Sequence, residues 1–263
     1  GPGRRDAGAA RSLIRMSRRS KLIAAGTAAF LVFLVAMVPA SQLAHRMPPG
    51  IAMTGVGGTI WSGRAANLRV NGKTLGALGW FCRPWTLLML EWSCRVMLSP
   101  AGGEISADLA GGFDGAAIEG SGIRGRVPIT AFEGIATPAG WTGLLELDVE
   151  RLRIVNQRPE EATGTLFVRA LKAPGARGEL LGDFQLVVGE GAVGTDTLTG
   201  RLTDLGGPLR VRGAIELKRD GSYLMSGEAA PGPGAGPAIF DTLAFLGPPD
   251  DLGRRPFTIE GTL

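Results

Sequence analysis

Turn-forming residues divide almost the whole chain into short extended segments. The 263 residues include 42 glycines and 17 prolines, and strand-like segments recur between them roughly every 8–14 residues. Asn71-Gly72 and Asp220-Gly221 are the clearest hairpin turns. Hydrophobic residues make up 44% of the chain and charged residues 20%, which excludes a disordered chain. We therefore expect an all-β fold, an antiparallel meander of one or two curved sheets, either open or partly rolled.

Alternation of apolar and polar residues, as in Leu145–Glu150, predicts one buried and one solvated face for the sheet. Short helices are expected at 84–91 and 239–246. A weak internal similarity between Gly58–Trp61 and Gly164–Phe167 suggests two related halves, residues 51–130 and 140–229. The predicted strands lie at 51–56, 65–70, 74–82, 92–98, 104–109, 116–119, 144–154, 162–171, 184–188, 197–202, 209–218, 222–227 and 257–263.

An apolar segment near the N-terminus predicts a membrane anchor. Leu22–Val38 contains no charged residue, and the uncharged run continues to Ala44. Since about 20 apolar residues span a bilayer core, we expect a transmembrane helix at 22–44 and a β body at 45–263. The alternative is a signal peptide cleaved near Val38–Ala40, although its apolar region would be longer than is usual.

Positive charge is concentrated before this segment. Residues 1–21 contain seven cations and one aspartate, whereas the whole chain has a net charge of +4, so the body is mildly acidic. The basic tail predicts a cytoplasmic N-terminus and a periplasmic body on a single-pass protein of a bacterial inner membrane. The acidic body argues against binding to nucleic acid. Gly1-Pro2-Gly3 resembles an expression-tag remnant and is set aside.

Cys82 and Cys94 are the two cysteines of the chain. An oxidising compartment such as the periplasm favours a disulfide between them, which would close a loop of about 13 residues. The alternative is two free, buried thiols.

Catalytic chemistry has little support in the sequence. His45 is the single histidine, which excludes most histidine-dependent catalytic groups and nearly all zinc sites. Two G-x-G-x-x-G strings, at 120–125 and 189–194, do not precede predicted helices, so we interpret them as hairpin turns rather than dinucleotide sites. We assign no catalytic, cofactor-binding or metal-binding residue and expect neither a cofactor nor an enzymatic activity.

The connection between the two cysteines is unusually apolar. Its side chains could pack over one end of the sheet, or they could form an exposed contact surface for a protein partner or the membrane. We predict the contact surface, which the disulfide would hold in shape. The candidate residues are Trp85, Leu87, Leu88, Met89, Leu90 and Trp92.

An N-terminal anchor leads to Gly57–Ala65, then to Leu75–Trp80 and Arg83-Pro84. Further along the chain come Gly200–Leu209, Leu217–Tyr223, Leu243–Asp250 and Gly261–Leu263. In this order, these segments resemble the type II secretion system protein N family. The strongest is the G-T-I-W-S-G stretch. The motif residues, to which we assign a structural role, are Gly58, Thr59, Ile60, Trp61, Gly63 and Trp80.

The resemblance implies a non-enzymatic accessory component of the machine that exports folded proteins across the outer membrane. Such a component would lie in the inner membrane, near the secretin and the C, L and M components. The alternative function is that of an AsmA-like anchored periplasmic protein, whose curved sheet binds or shuttles lipid.

Overall fold

The computed structural model describes residues 18–44, 47–134, 137, 139–156, 158–174, 178–189, 197–218 and 220–262. His45 and most of the basic tail lie outside these ranges. The chain forms two compact units, Gly1–Val38 and Pro39–Leu263. The division into halves at 51–130 and 140–229 stays a prediction, and both ranges belong to the second unit.

The first unit contains helix α1, Arg18–Ala36. Among the described residues, no helix combines the length and the apolarity that crossing a membrane requires. The anchor that we predicted at 22–44 stays a prediction. Within this range α1 ends at Ala36, and a separate short helix, α2, covers Ser41–Ala44. Between them lies Pro39, which has no N–H to donate and disfavours a helical conformation at the residue before it.

The second unit is built on one antiparallel sheet of fourteen strands. Its strands are β1 Ile51–Thr54, β2 Gly57–Gly58, β3 Ser62–Val70, β4 Lys73–Cys82, β5 Glu91–Ser99, β6 Glu104–Gly112, β7 Ala117–Pro128, β8 Thr142–Val155, β9 Arg158–Lys172, β10 Leu180–Val188, β11 Thr197–Asp204, β12 Leu209–Lys218, β13 Ser222–Pro231 and β14 Arg255–Thr262. From β3 onwards each strand pairs with the next along the chain, while β1 and β2 both pair with β3. Because no described residues of β1 and β14 pair, the sheet is an open meander.

The predicted hairpin signals are confirmed by the sheet. Asn71 and Gly72 have φ angles of 49° and 81° and connect β3 to β4, as expected for a turn with two positive φ angles. Asp220 and Gly221 lie between β12 and β13, where the Asp220 carboxylate accepts a hydrogen bond from the Ser222 N–H at 2.8 Å. The all-β prediction is therefore correct, with a single sheet rather than two.

Residues 120–125 do not form the hairpin turn that we predicted. They lie inside β7, which runs from Ala117 to Pro128. A bulge at this point shifts the register with β6, and Gly122 has a φ of 56°, so the glycines bend a long strand instead of ending it. In the second string, 189–194, only Gly189 belongs to the described residues.

Helices add little to the second unit. The predicted helix at 84–91 is a 3-10 helix, Pro84–Met89, and the predicted helix at 239–246 is α3, Pro237–Ala244. A second 3-10 turn at Ile129–Phe132 follows β7 and was not predicted from the sequence.

One face of the sheet is apolar across its whole width. Residues that are directly paired on neighbouring strands share a face, and such pairs connect Leu147, Leu166, Leu186 and Leu202 in a row across β8–β11. Similar rows are Leu78–Leu98–Ile105 in β4–β6 and Ile215–Met225–Ile259 in β12–β14. The sheet thus has a broad apolar face, and no second sheet packs on it among the residues that the structure describes.

The opposite face carries ion pairs between neighbouring strands. Directly paired residues again supply them, as in Arg95–Asp108 at 2.9 Å and Arg124–Asp148 at 3.1 Å. Arg126 Nε donates to Glu146 at 2.9 Å, and Arg169 approaches the same carboxylate at 3.6 Å. Hydrogen bonds from Arg126 hold the pKa of Glu146 below its usual value, so this face is solvated and charged at neutral pH.

We expect the Glu146→Gln substitution to lower the free energy of unfolding by less than about 1 kcal/mol at neutral pH, since pairs at the surface are well screened. Because the folded protein lowers the pKa of Glu146, its contribution is present above the ordinary value of 4.5 and is lost as the pH falls through the folded pKa. In urea unfolding, the difference in unfolding free energy between the parent protein and the variant should therefore become smaller as the pH is lowered.

The control is Glu150→Gln, because Glu150 has no ion pair in the described part of the chain. Its free energy of unfolding at neutral pH should stay close to that of the parent protein, since this substitution removes no ion pair. An equal response of the two variants would contradict a specific role for the Arg126–Glu146 pair.

Candidate functional site

The sheet curves towards its apolar face. A cavity of about 450 Å³ on this face is lined by Val168 of β9, Ile259 of β14 and residues of the strands between them. In a flat sheet, β9 and β14 would lie about 24 Å apart at ordinary strand spacing. A cavity of this size can reach both strands only if the sheet bends around it, which makes the apolar face a trough.

Aromatic side chains cover glycines on this face. In four direct cross-strand pairs, an aromatic ring lies over a glycine of the neighbouring strand, so closely that an added Cβ would come within 3.0 Å of the ring. Flat-lying rings cover backbone that would otherwise be exposed and permit close curvature. The pairs are Trp80–Gly63, Trp92–Gly111, Tyr223–Gly261 and Phe257–Gly227.

The G-T-I-W-S-G motif forms a tight turn between β2 and β3, and Trp80 fixes it. The indole N–H of Trp80 donates to the carbonyl oxygens of Thr59 and Ile60, at 3.2 Å each. Its ring, 8% exposed, packs with Ala40 and Ala65 in one of the two buried clusters. The Thr59 Oγ1 accepts a hydrogen bond from the Ser62 N–H at 3.2 Å. These contacts hold the turn in place, and the structural role assigned to the motif stays a prediction.

The disulfide between Cys82 and Cys94 is confirmed. The two cysteines face each other directly across β4 and β5, at the base of the connection that contains the 3-10 helix. Within the connection, the Thr86 hydroxyl donates to the Arg83 carbonyl at 2.8 Å, and Leu90 closes the helix with a φ of 58°. The covalent link therefore fixes both ends of a short, hydrogen-bonded segment.

The six predicted contact residues divide into two groups. Leu87 and Trp92 point inward and line a cavity of about 460 Å³ with Trp61 and Trp80. Trp92 also donates its indole N–H to the Gly112 carbonyl at 3.2 Å. The outward group is Trp85, Met89 and Leu90, with exposed fractions of 61%, 75% and 76%. The side chain of Leu88 is outside the described part of the structure.

A third cavity, which the sequence analysis did not identify, lies beneath α3. Its volume is about 880 Å³, and its walls include Trp141, Leu181, Leu209 and Leu246. Ile239 and Leu243, each 3% exposed, attach α3 to the sheet beside Phe184 and Val211. The sequence signal for an apolar contact here was the spacing of Ile239, Leu243 and Leu246 on one face of the predicted helix. This spacing does not distinguish a filled core from a cavity.

The charged side chains do not form a catalytic cluster in the described ranges. No three metal-binding side chains come together there, and several acids of the polar face pair with arginines. Hydrogen bonding to Arg95, for example, lowers the pKa of Asp108. The most distinctive sites are thus apolar: the trough, the three cavities along it and the exposed outward group.

Comparison with known proteins adds the family. A family model described as type II secretion system (T2SS), protein N matches residues 49–258. The chain belongs to this family. It is 27% identical over 260 residues to the type II secretion system protein N of Aeromonas hydrophila, covering 94% of this chain and all of that protein. The protein of the same name from Vibrio cholerae serotype O1 is 25% identical over 250 residues, covering 89% and 92%. No solved structure matches the chain.

The protein N match covers the apolar trough almost completely. It begins before β1 and ends within β14, so it includes the Trp80 turn, the disulfide, α3 and most of the residues that line the three cavities. Helix α1 lies outside it.

Replacing both cysteines by serine should lower the free energy of unfolding by on the order of 3 kcal/mol, because a short closed loop restricts the unfolded chain. Denaturant unfolding with and without a reducing agent measures this. The reducing agent should destabilise the parent protein by the same amount and leave the double variant unaffected. Two reactive thiols in the unreduced, denatured parent would contradict the disulfide.

Gly63→Ala should destabilise the protein by roughly 1–3 kcal/mol, since the new methyl group would overlap the Trp80 ring. Gly57→Ala is a matched control, because a Cβ there meets nothing within 4 Å. Thermal unfolding of both variants is the measurement. If the two substitutions cost the same, the Trp80–Gly63 contact does not determine the stability of this turn.

Proposed function

We propose that this protein is a non-enzymatic accessory component of the type II secretion system, with a periplasmic β body that contacts other secretion components during export. The observation that carries the proposal is the family match over residues 49–258. It covers nearly the whole sheet rather than one short motif. The proposed partners are the secretin and the C, L or M component.

A non-enzymatic role is consistent with the chemistry of the described residues. Several of their carboxylates on the polar face are paired with arginines across strands, as in Arg95–Asp108 and Arg126–Glu146, and their apolar face has no buried polar side chain. A face of this kind binds by exclusion of water rather than by proton transfer.

We propose the inner membrane as the location, with residues 22–44 as the anchor and the N-terminus in the cytoplasm. The support is the uncharged run from Leu22 to Ala44 after a basic tail. Within α1, apolar side chains such as Leu22 and Ile23 are each 70% exposed, and a lipid environment would remove this exposed surface from water.

We assign the partner contact to the outward group, Trp85, Met89 and Leu90. Large apolar side chains with so much exposed surface are typical of interaction sites. Because the disulfide and the 3-10 helix hold the segment in one shape, docking would cost little conformational entropy. The remaining candidates, Leu87 and Trp92, support this surface from inside.

The direct experiment is crosslinking in cells from a photoreactive residue at position 85. Capture of the secretin or of the C, L or M component supports the proposal. If neither this position nor others on the body capture a secretion component, the proposal is wrong.

The double variant Met89→Ser/Leu90→Asn should reduce this crosslinking at least about tenfold, since exposed anchors of this size dominate small interfaces. Asparagine is chosen at position 90 because it tolerates the positive φ. Stability should change by no more than about 0.5 kcal/mol per site, as both side chains are exposed.

The matched control is Met97→Ser/Leu205→Asn, which makes the same changes at side chains that are 45% and 44% exposed. Its crosslinking should equal that of the parent protein. Unfolding of the first double variant would show instead that the segment is part of the core.

A second candidate function is lipid binding by an AsmA-like curved sheet. The apolar trough favours it, because in the described part of the chain no second sheet packs on the apolar face. The described chain has only two buried clusters along this face.

A further inference from the structure

The cavity beneath α3 continues along the trough. Its neighbour of about 450 Å³ shares Trp141, Leu181, Leu209 and Leu246 with it. All twelve side chains that line this neighbour are aliphatic, aromatic or thioether groups. Since ligand sites usually occupy about 300–1,000 Å³, the two cavities can receive a ligand with a long apolar part.

The walls disfavour water and an extended peptide as the occupant. Buried water needs two to four polar partners, which the side chains around the 450 Å³ cavity do not supply. Each of β10–β13 is hydrogen-bonded to a strand on both sides, so their backbone groups are already used. A peptide would bring N–H and C=O groups that find no partner, whereas an acyl chain has no polar group along its length.

The mouth of the cavity has side chains of both charges. Glu179 is one of its lining residues, and the Cδ of Lys172 lies 4.0 Å from the position of a Cβ on Gly178, which also lines the cavity. The Thr242 hydroxyl at the same mouth donates to the Ala238 carbonyl at 2.8 Å. Lys172 and Glu179 thus bring one ammonium and one carboxylate to the part of the cavity that Gly178 lines, and two opposite charges match a zwitterionic head group better than an anionic one.

We propose that the α3 cavity binds an acyl chain of a zwitterionic phospholipid, with the head group at Lys172 and Glu179. This inference deepens the second candidate function and names its ligand class; it does not depend on the secretion partners. Access from a lipid phase is favoured by the outer side of α3, where Phe240 and Phe245 are 50% and 91% exposed.

The test uses the full chain reconstituted in vesicles of phosphatidylethanolamine and phosphatidylglycerol. One of three photoreactive probes is included: phosphatidylethanolamine or phosphatidylglycerol with a diazirine on the acyl chain, or a diazirine fatty acid. After illumination, mass spectrometry maps the adducts. We expect adducts at Trp141, Leu181 or Leu246, with the phosphatidylethanolamine probe giving the highest yield.

Leu246→Asp should lower these adducts at least about tenfold, because it places a carboxylate in an apolar wall. Leu252→Asp is the matched control, since Leu252 is 74% exposed and is not a wall residue of either cavity; its yield should not change. If Leu246→Asp does not fold, Ala238→Trp replaces it, because a large side chain at this exposed lining position would block the cavity. We expect the same loss of adducts from Ala238→Trp, and Ala77→Trp is its control.

Equal labelling of Leu246→Asp and the parent, or equal losses in both aspartate variants, would overturn the site. Higher labelling by phosphatidylglycerol or by the fatty acid would overturn the head-group assignment. Crosslinking from position 85 separates this result from the secretion role. If that crosslinking fails while the lipid adducts persist, only the secretion proposal is wrong; the reverse result removes only the lipid site.

Discussion

A sheet of fourteen strands in a single layer has to cover its own apolar face, and this constraint shapes the rest of the molecule. In a sandwich, a second sheet would bury that face. In this protein, curvature and direct aromatic–glycine pairs take the place of a second sheet. In each pair, a ring on one strand lies over a glycine on the next, as with Trp80 and Gly63 or Phe257 and Gly227. The missing side chain lets the ring approach the backbone, and the ring removes the exposed backbone from water.

On the polar face, direct cross-strand pairs help to fix the register of the strands. Arg124 and Asp148 are directly paired, as are Arg126 and Glu146, so each ion pair joins two neighbouring strands. Exposed pairs stabilise a protein only slightly, but opposite charges in register disfavour a slipped pairing that would place like charges together. In a meander this long, register errors could accumulate from strand to strand, and such pairs act at each step.

Local signals in the sequence predicted the local structure well. Asn71-Gly72 requires positive φ at both positions and forms the hairpin expected of it, and Cys82 and Cys94 pair as the compartment suggested. Residues 120–125 were misread because glycines mark both turns and bulges. The cavity beneath α3 could not be predicted, since the apolar periodicity of Ile239 and Leu243 is the same whether the space beside them is filled or empty.

The two ends of the trough are closed in different ways, and the proposed protein contact and the proposed lipid site lie at different ends. Near β4–β6, the cavity of about 460 Å³ is lined by Trp61, Trp80 and Trp92. The connection closed by the disulfide exposes apolar side chains to solvent at this end. Near β9–β14 a helix attached by Ile239 and Leu243 covers the trough and leaves the space beneath it open. The two ends are connected mainly through successive pairs of neighbouring strands. A substitution at one end therefore does not directly change the side-chain packing at the other. Substitutions at the two ends should therefore act additively on stability, as expected for distant sites, and protein docking and lipid binding can be altered independently.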